Sequence, residues 1–141
     1  MSQPSYHTYP GYAVGLSEGF GYSQSVRVGE RIEASGQGGW DRETGKIPED
    51  PLEEINQAFS NLDVALKDAG GKGLSQVYRL NAYLTDMDRF LEPAGEAMKK
   101  WFPNHRPLLT AVGVASLALP GMHVEIEGVA LDPEGPKTKE A

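Results

Sequence analysis

DPLEEINQAFSNLDVALKDAGG, residues 50–71, decides the architecture of this 141-residue chain. Asp50 carries the side chain of an N-cap, Pro51 suits the first helical position, and Glu53 stands at the capping-box spacing. Leu52, Ile55, Phe59, Leu62 and Leu66 then recur at helical spacing, and Ala58, Ala65 and Ala69 fill the same side. Gly70 and Gly71 end the helix, because glycine enters the left-handed C-cap conformation without steric cost. A helix that is apolar along one side only should lie on a sheet.

The flanking segments supply that sheet. YSQSVRVGERIEASGQ (22–37) reads as two short strands about a turn at Gly29-Glu30, with Val26 and Val28 alternating before it and Ile32 and Ala34 after it. GQGGWDRETGKIPED (36–50) is a loop. VYRLNAYL (77–84) is a strand with Tyr78, Leu80, Ala82 and Leu84 on one face and Val77, Arg79, Asn81 and Tyr83 on the other. A second helix runs from about Asp88 to Phe102 on a stripe of Phe90, Ala94, Ala97 and Trp101; Pro93 is acceptable near its start and Pro103 stops it. LLTAVGV (108–114) and MHVEIEGVAL (122–131) complete the sheet. The order ββ-α-β-α-ββ predicts an α+β fold, with two helices packed on one face of a mixed sheet and the other face left for further subunits to cover. Residues 1–21, rich in Gly, Pro, Ser and Tyr without a period, read as an N-terminal arm that is partly ordered at best. Residues 22–131 form a single domain, and DPEGPKTKEA (132–141) is a polar tail.

Thirteen basic against twenty acidic residues leave a net charge of −7. That opposes nucleic-acid binding, which needs clustered cations to displace counterions from phosphates. Lys99-Lys100 is the longest basic run and reads as a solvated helix patch. No apolar run approaches the roughly eighteen residues of a membrane span, and residues 1–19 lack the features of a secretory or mitochondrial leader. With no cysteine in the chain there is neither disulfide nor thiolate chemistry, and a cytoplasmic protein is expected. His7, His105 and His123 lack metal-ligand spacing, so no metal is expected. GGKG (70–73) follows a helix instead of opening one, which is wrong for a phosphate loop. No cofactor is expected either.

Several phrases, taken in order, carry a family resemblance: YSQSVRVGERIEASGQ, QAFSNLDVALKDAGG, VYRLNAYLTDMDRF, RPLLTAVGV and VEIEGVAL. Over about residues 20–131 the chain resembles the RidA family (YjgF/YER057c/UK114, formerly the L-PSP endoribonucleases). The resemblance implies a chorismate-mutase-like fold and a homotrimer with a small-molecule pocket at each subunit interface. It implies imine/enamine deaminase chemistry, hydrolysing reactive products such as 2-aminoacrylate to 2-keto acids and ammonia without metal or organic cofactor. In that family a tyrosine closes the pocket, a glycine presents its backbone, and a last-strand glutamate positions water. Those positions are Tyr22, Gly36 and Glu125, with Glu125 as the catalytic candidate. The family's carboxylate-clamping arginine falls on Leu109, followed by Thr110 and Ala111 as further substrate contacts. Ala94 stands where many members carry asparagine.

The leucine changes the chemistry. A guanidinium grips a carboxylate through two charge-assisted bonds of about 1.5–3 kcal/mol each. Leucine supplies neither and desolvates any charge beside it. Arg106 lies three residues upstream, about 10 Å along an extended strand and on its opposite face. Arg79 could reach an interface pocket from a neighbour, and Thr110 offers one neutral bond. Taken alone, Leu109 is an ordinary strand residue, and Glu125 and Glu127 read as outward-facing solvated carboxylates. The resemblance makes Glu125 a pocket residue, and burial without a cation should raise its pKa. His123 shares the Glu125 face in this reading, and Trp40 either lines a pocket or anchors its loop. Three functions follow: a hydrolase with an altered substrate, a non-catalytic small-molecule-binding trimer, and an endoribonuclease, against which the charge argues.

Overall fold

The structure is a computed structural model that describes residues 3–135. The helix read from residues 50–71 spans Pro51–Asp68, here α2; in chain order it follows β1 (Ser5–His7), α1 (Tyr12–Phe20), β2 (Ser25–Val28) and β3 (Arg31–Gly38). A 3-10 turn at Gly73–Gln76, β4 (Val77–Leu84), α3 (Met87–Trp101), β5 (Leu108–Gly113) and β6 (Val124–Leu131) complete the chain. The capping reading holds: the Asp50 carboxylate accepts from the Glu53 N–H at 3.0 Å, Pro51 is at the first turn, and Gly70 takes φ +95°. Ile55, Ala58, Phe59, Leu62, Ala65 and Leu66 are buried, whereas Leu52 stays exposed. Each fully buried large side chain on this face contributes about 1.5–3 kcal/mol. Truncating Leu62 to alanine would cost about 2–5 kcal/mol.

The strands form one six-stranded sheet in the order β1-β2-β3-β6-β4-β5, antiparallel except for the parallel β4–β5 pair. The fold is therefore α+β with a mixed sheet, as expected, but the described residues form three α-helices instead of two. α2 packs on β3 and β6, and α3 packs beside α2, where Trp101 stacks on Phe59 with ring centroids 6.3 Å apart. Every residue of the edge strand β5 is exposed, Leu108, Leu109 and Val112 among them.

Residues 1–21 depart most from the expected arm. Ser5–His7 pairs antiparallel with β2, and α1 buries Ala13 and Leu16. The sequence YAVGLSEGF has two glycines and little intrinsic helix preference, so tertiary contacts hold it. The Tyr12 N–H donates to the Arg42 carbonyl at 2.8 Å, and Leu16 packs with Trp40 and Met122. Gly11 makes the close approach possible, at φ +96° with no room for a Cβ against the Arg42 oxygen.

Two further readings are corrected. Register between β4 and β6 shifts between Val77 and Arg79, so Val77 turns into the core and Tyr78 stays exposed beside Arg79, reversing the alternation expected there. Asp132, assigned to the polar tail, is buried in an ion pair with Arg27, which also donates to the Ala69 and Gly29 carbonyls. Residues 136–141 of that tail lie outside the described residues.

Candidate functional site

β3 leaves regular pairing at position 36. Ala34 faces Gly128 but Gln37 faces Ile126, a bulge that holds Ser35 and Gly36. The Glu125 side chain lies over Gly36, where an added Cβ would collide with its carboxylate oxygen, Cδ and Cγ. Tyr22, Ser35, Trp40, Leu16, Phe20, Leu119 and Met122 enclose the pair in a cavity of about 280 Å³. Three expected site residues, Tyr22, Gly36 and Glu125, thus converge within one chain. Trp40 does both things weighed for it, lining this cavity and anchoring its loop through a buried bond from Nε1 to the Tyr9 hydroxyl (3.1 Å).

The electrostatics follow from who is absent and who is near. Among the described residues no lysine or arginine lines the cavity. Burial first, and then the charge of Glu127, pushes the Glu125 carboxyl above the ordinary glutamate range. Glu127 is held by its neighbours on β4, accepting from Tyr83 Oη at 2.6 Å and Asn81 Nδ2 at 3.1 Å. The Tyr22 phenol is also pushed up, by burial, with a bond from Gln24 working against it and the Glu125 charge adding to it. A carboxyl raised in this way holds a proton closer to neutral pH than an ordinary glutamate does, which suits proton transfer to and from water.

Two buried polar residues missed from sequence hold the walls. Glu54 of α2 accepts from the His123 N–H (2.7 Å), the Val124 N–H (3.2 Å) and His123 Nδ1 (3.0 Å). Asn61, seven residues on, donates from Nδ2 to the Gly38 and Trp40 carbonyls, both at 2.8 Å. Their seven-residue spacing beside the apolar stripe put them on one side of the helix, and that was the available signal. His123 therefore turns toward Glu54 and stacks on Phe90 (centroids 5.4 Å) instead of sharing the Glu125 face.

The other expected residues divide. Leu109 and Ala111 are registered with Leu80 and Ala82 and face the helix side, lining a small groove of about 110 Å³ with Leu91, Ala94 and Met98. Thr110 is registered with Asn81, on the opposite, open face. Within one chain the sheet thus separates Leu109 and Ala111 from Glu125. Arg106 precedes β5 and is exposed, so it is not the opposite-face strand residue expected. Arg79 faces the open side, in a separate cavity of about 330 Å³ with Arg31, Glu33 and Glu127. Among the described residues no helix is long and apolar enough to cross a membrane.

Comparison with known proteins decides the family. Residues 16–132 match the family model described as Endoribonuclease L-PSP. The chain belongs to the endoribonuclease L-PSP family. A RutC family protein of Aquifex aeolicus is 38% identical to this family member over 112 residues, covering 78% of this chain and 87% of the relative. A 2-iminobutanoate/2-iminopropanoate deaminase of Dermatophagoides farinae is 34% identical over 112 residues, covering 78% and 84%. RidA from an Antarctic Psychrobacter superposes with a TM-score of 0.72 at 34% identity, over 78% of this chain and 87% of that one. A member of the YjgF/YER057c/UK114 family from Mycobacterium tuberculosis superposes with a TM-score of 0.78 at 28% identity, over 92% and 99%. This L-PSP family chain shares their α+β fold.

Proposed function

We propose that this L-PSP family protein is an imine/enamine hydrolase whose substrate lacks the carboxylate of an imino acid. The convergence of Tyr22, Gly36 and Glu125 on one cavity without lysine or arginine among its described residues carries the reading. Similarity to the mite protein named a 2-iminobutanoate/2-iminopropanoate deaminase supports the reaction class. In the proposed step ionised Glu125 takes a proton from water as the water oxygen bonds to the imine carbon. That proton passes to nitrogen to give a carbinolamine. Glu125 then takes the carbinolamine hydroxyl proton and delivers it to nitrogen as the C–N bond breaks, so that a carbonyl compound and ammonia leave. Tyr22 and the backbone at Gly36 orient the substrate.

The working unit in this reading is a cytoplasmic homotrimer. The cavity of one subunit meets the exposed β5 edge of the next, which brings Leu109 and Ala111 to the substrate. An exposed apolar edge strand favours such pairing. Leucine at that position matches a neutral or apolar substituent where an imino acid would need a cation.

A second reading, a trimer that binds a small apolar molecule without turnover, draws on the groove lined by Leu91, Ala94, Leu109 and Ala111, whose described lining residues are all uncharged. One experiment separates the two. Carboxylate-free imines made in situ by an amine oxidase are trapped with semicarbazide, and the protein competes for them by hydrolysis. A lower initial rate of semicarbazone formation with wild type but not with Glu125→Gln supports the hydrolase. Ligand-dependent thermal stabilisation without turnover supports the binding module.

A further inference from the structure

Five side chains form one line of hydrogen bonds that ends at the cavity. Trp40 Nε1 donates to Tyr9 Oη (3.1 Å), and Tyr9 donates to Gln37 Oε1 (2.7 Å). Gln37 Nε2 donates to Gln24 Oε1 (2.7 Å), and Gln24 Nε2 donates to Tyr22 Oη (3.1 Å). Gln24 and Gln37 are each 0% exposed, and Tyr9 and Trp40 are buried with them. Two fully buried amides are costly unless every polar atom is paired, so the line is a specified feature of the fold.

Its direction is forced. An indole N–H only donates, so the Tyr9 oxygen accepts at that end and its proton must go to an acceptor. Gln37 therefore presents its carbonyl to Tyr9 and its nitrogen to Gln24. A second contact fixes the same orientation independently: Gln37 Nε2 lies 3.1 Å from the Ser35 carbonyl, which only accepts. Gln24 must then offer its oxygen to Gln37 and its nitrogen to Tyr22. Among the described residues, the bond that Tyr22 Oη makes is this one, which it accepts. Its own proton is left free to donate, and Tyr22 lines the cavity shared with Glu125.

We infer that Trp40, Tyr9, Gln37 and Gln24 are positioning residues that hold the Tyr22 hydroxyl as a donor into the cavity, so that the site selects ligands presenting a lone pair there, an imine nitrogen or a carbonyl oxygen. The ligand class rests on the hydrolase reading, whereas the direction of the line does not.

The test uses the 141-residue chain with fluorotyrosine at position 22, whose phenol titrates below that of tyrosine and is followed by fluorine NMR. A bond donated by Gln24 stabilises the phenolate. Gln24→Met, which leaves Gln37 its Ser35 acceptor, should therefore shift the titration upward. Gln37→Met, one step further from the cavity, should shift it the same way by less, and serves if Gln24→Met does not fold. A downward shift, or none, in a folded variant overturns the inference, because a tyrosine that donated to Gln24 would titrate lower once the bond was lost. With a carboxylate-free imine, Gln24→Met should also raise KM about tenfold, the worth of one oriented hydrogen bond, with a smaller change in kcat. Absence of wild-type turnover would overturn the hydrolase reading, while the titration still judges the line.

Discussion

Glu125 folds over Gly36 so closely that a methyl group on residue 36 would occupy the place of the carboxylate. The bulge in β3 and the alternation of β6 bring the two together.

Gly36→Ala should therefore act on the site before the fold. The obstructing atoms belong to a side chain that can swing away, so thermal unfolding should change little. A displaced Glu125 would lose its alignment with bound water, and misplacement of about 1 Å costs on the order of a hundredfold in rate. Paired melting and imine-hydrolysis measurements check this; full activity in a stable variant would show that the position of Glu125 is immaterial.

Glu125→Gln should make the protein more stable at neutral pH. Burial and Glu127 raise the folded-state pKa of Glu125 above that of the unfolded chain, about 4.3 for a free glutamate. Between those two values the folded state binds more protons than the unfolded state, so stability falls as pH rises. Above the raised value the full penalty of an ionised Glu125 is present. The advantage of the glutamine variant should appear at pH 7 and vanish below about pH 4, and denaturant unfolding across that range would show it. An equal gap at every pH would contradict the assignment.

Asp132→Asn should be costly. Burial alone would raise the Asp132 carboxyl, but the bonds from Arg27 and Gln76 outweigh it and hold it below the usual range. Its contribution is therefore present above an ordinary aspartate pKa of about 3.9 and lost as pH falls through the depressed folded value. Removing one partner of a buried pair typically costs about 3–5 kcal/mol. Urea unfolding at pH 7 should show a loss of that order for Asp132→Asn and a smaller one for the double variant with Arg27→Met.

The elements that could be read from the sequence are those whose signal is local. α2 announced itself through its cap, stripe and terminal glycines, and β6 through strict alternation of Val124, Ile126 and Gly128 against Glu125 and Glu127. The parts that escaped depend on distant partners. α1 is held by Arg42 and Trp40, and Asp132 is matched to Arg27 across 105 residues. The Val77–Tyr78 inversion comes from how β4 pairs with β6. Leu109, Thr110 and Ala111 were grouped as neighbours in sequence, but successive strand residues face opposite ways and the parallel pairing with β4 fixes Leu109 on the helix side. In the site, the family resemblance picked out Tyr22, Gly36 and Glu125, while Leu16 and Phe20 on the cavity wall were hidden in a segment read as an arm.

The proposed hydrolase places an apolar side chain, Leu109, where an imino-acid substrate would need a cation. The direct measurement compares wild type with Leu109→Arg on two imines, 2-iminopropionate from an amino-acid oxidase and a carboxylate-free imine from an amine oxidase, both trapped with semicarbazide. Wild type should favour the carboxylate-free imine. Leu109→Arg should reverse that preference, because two charge-assisted bonds are restored to the carboxylate, each about 1.5–3 kcal/mol. Efficient wild-type hydrolysis of 2-iminopropionate, with no gain on introducing arginine, would contradict the account and make Arg79 and Arg106 the next residues to replace.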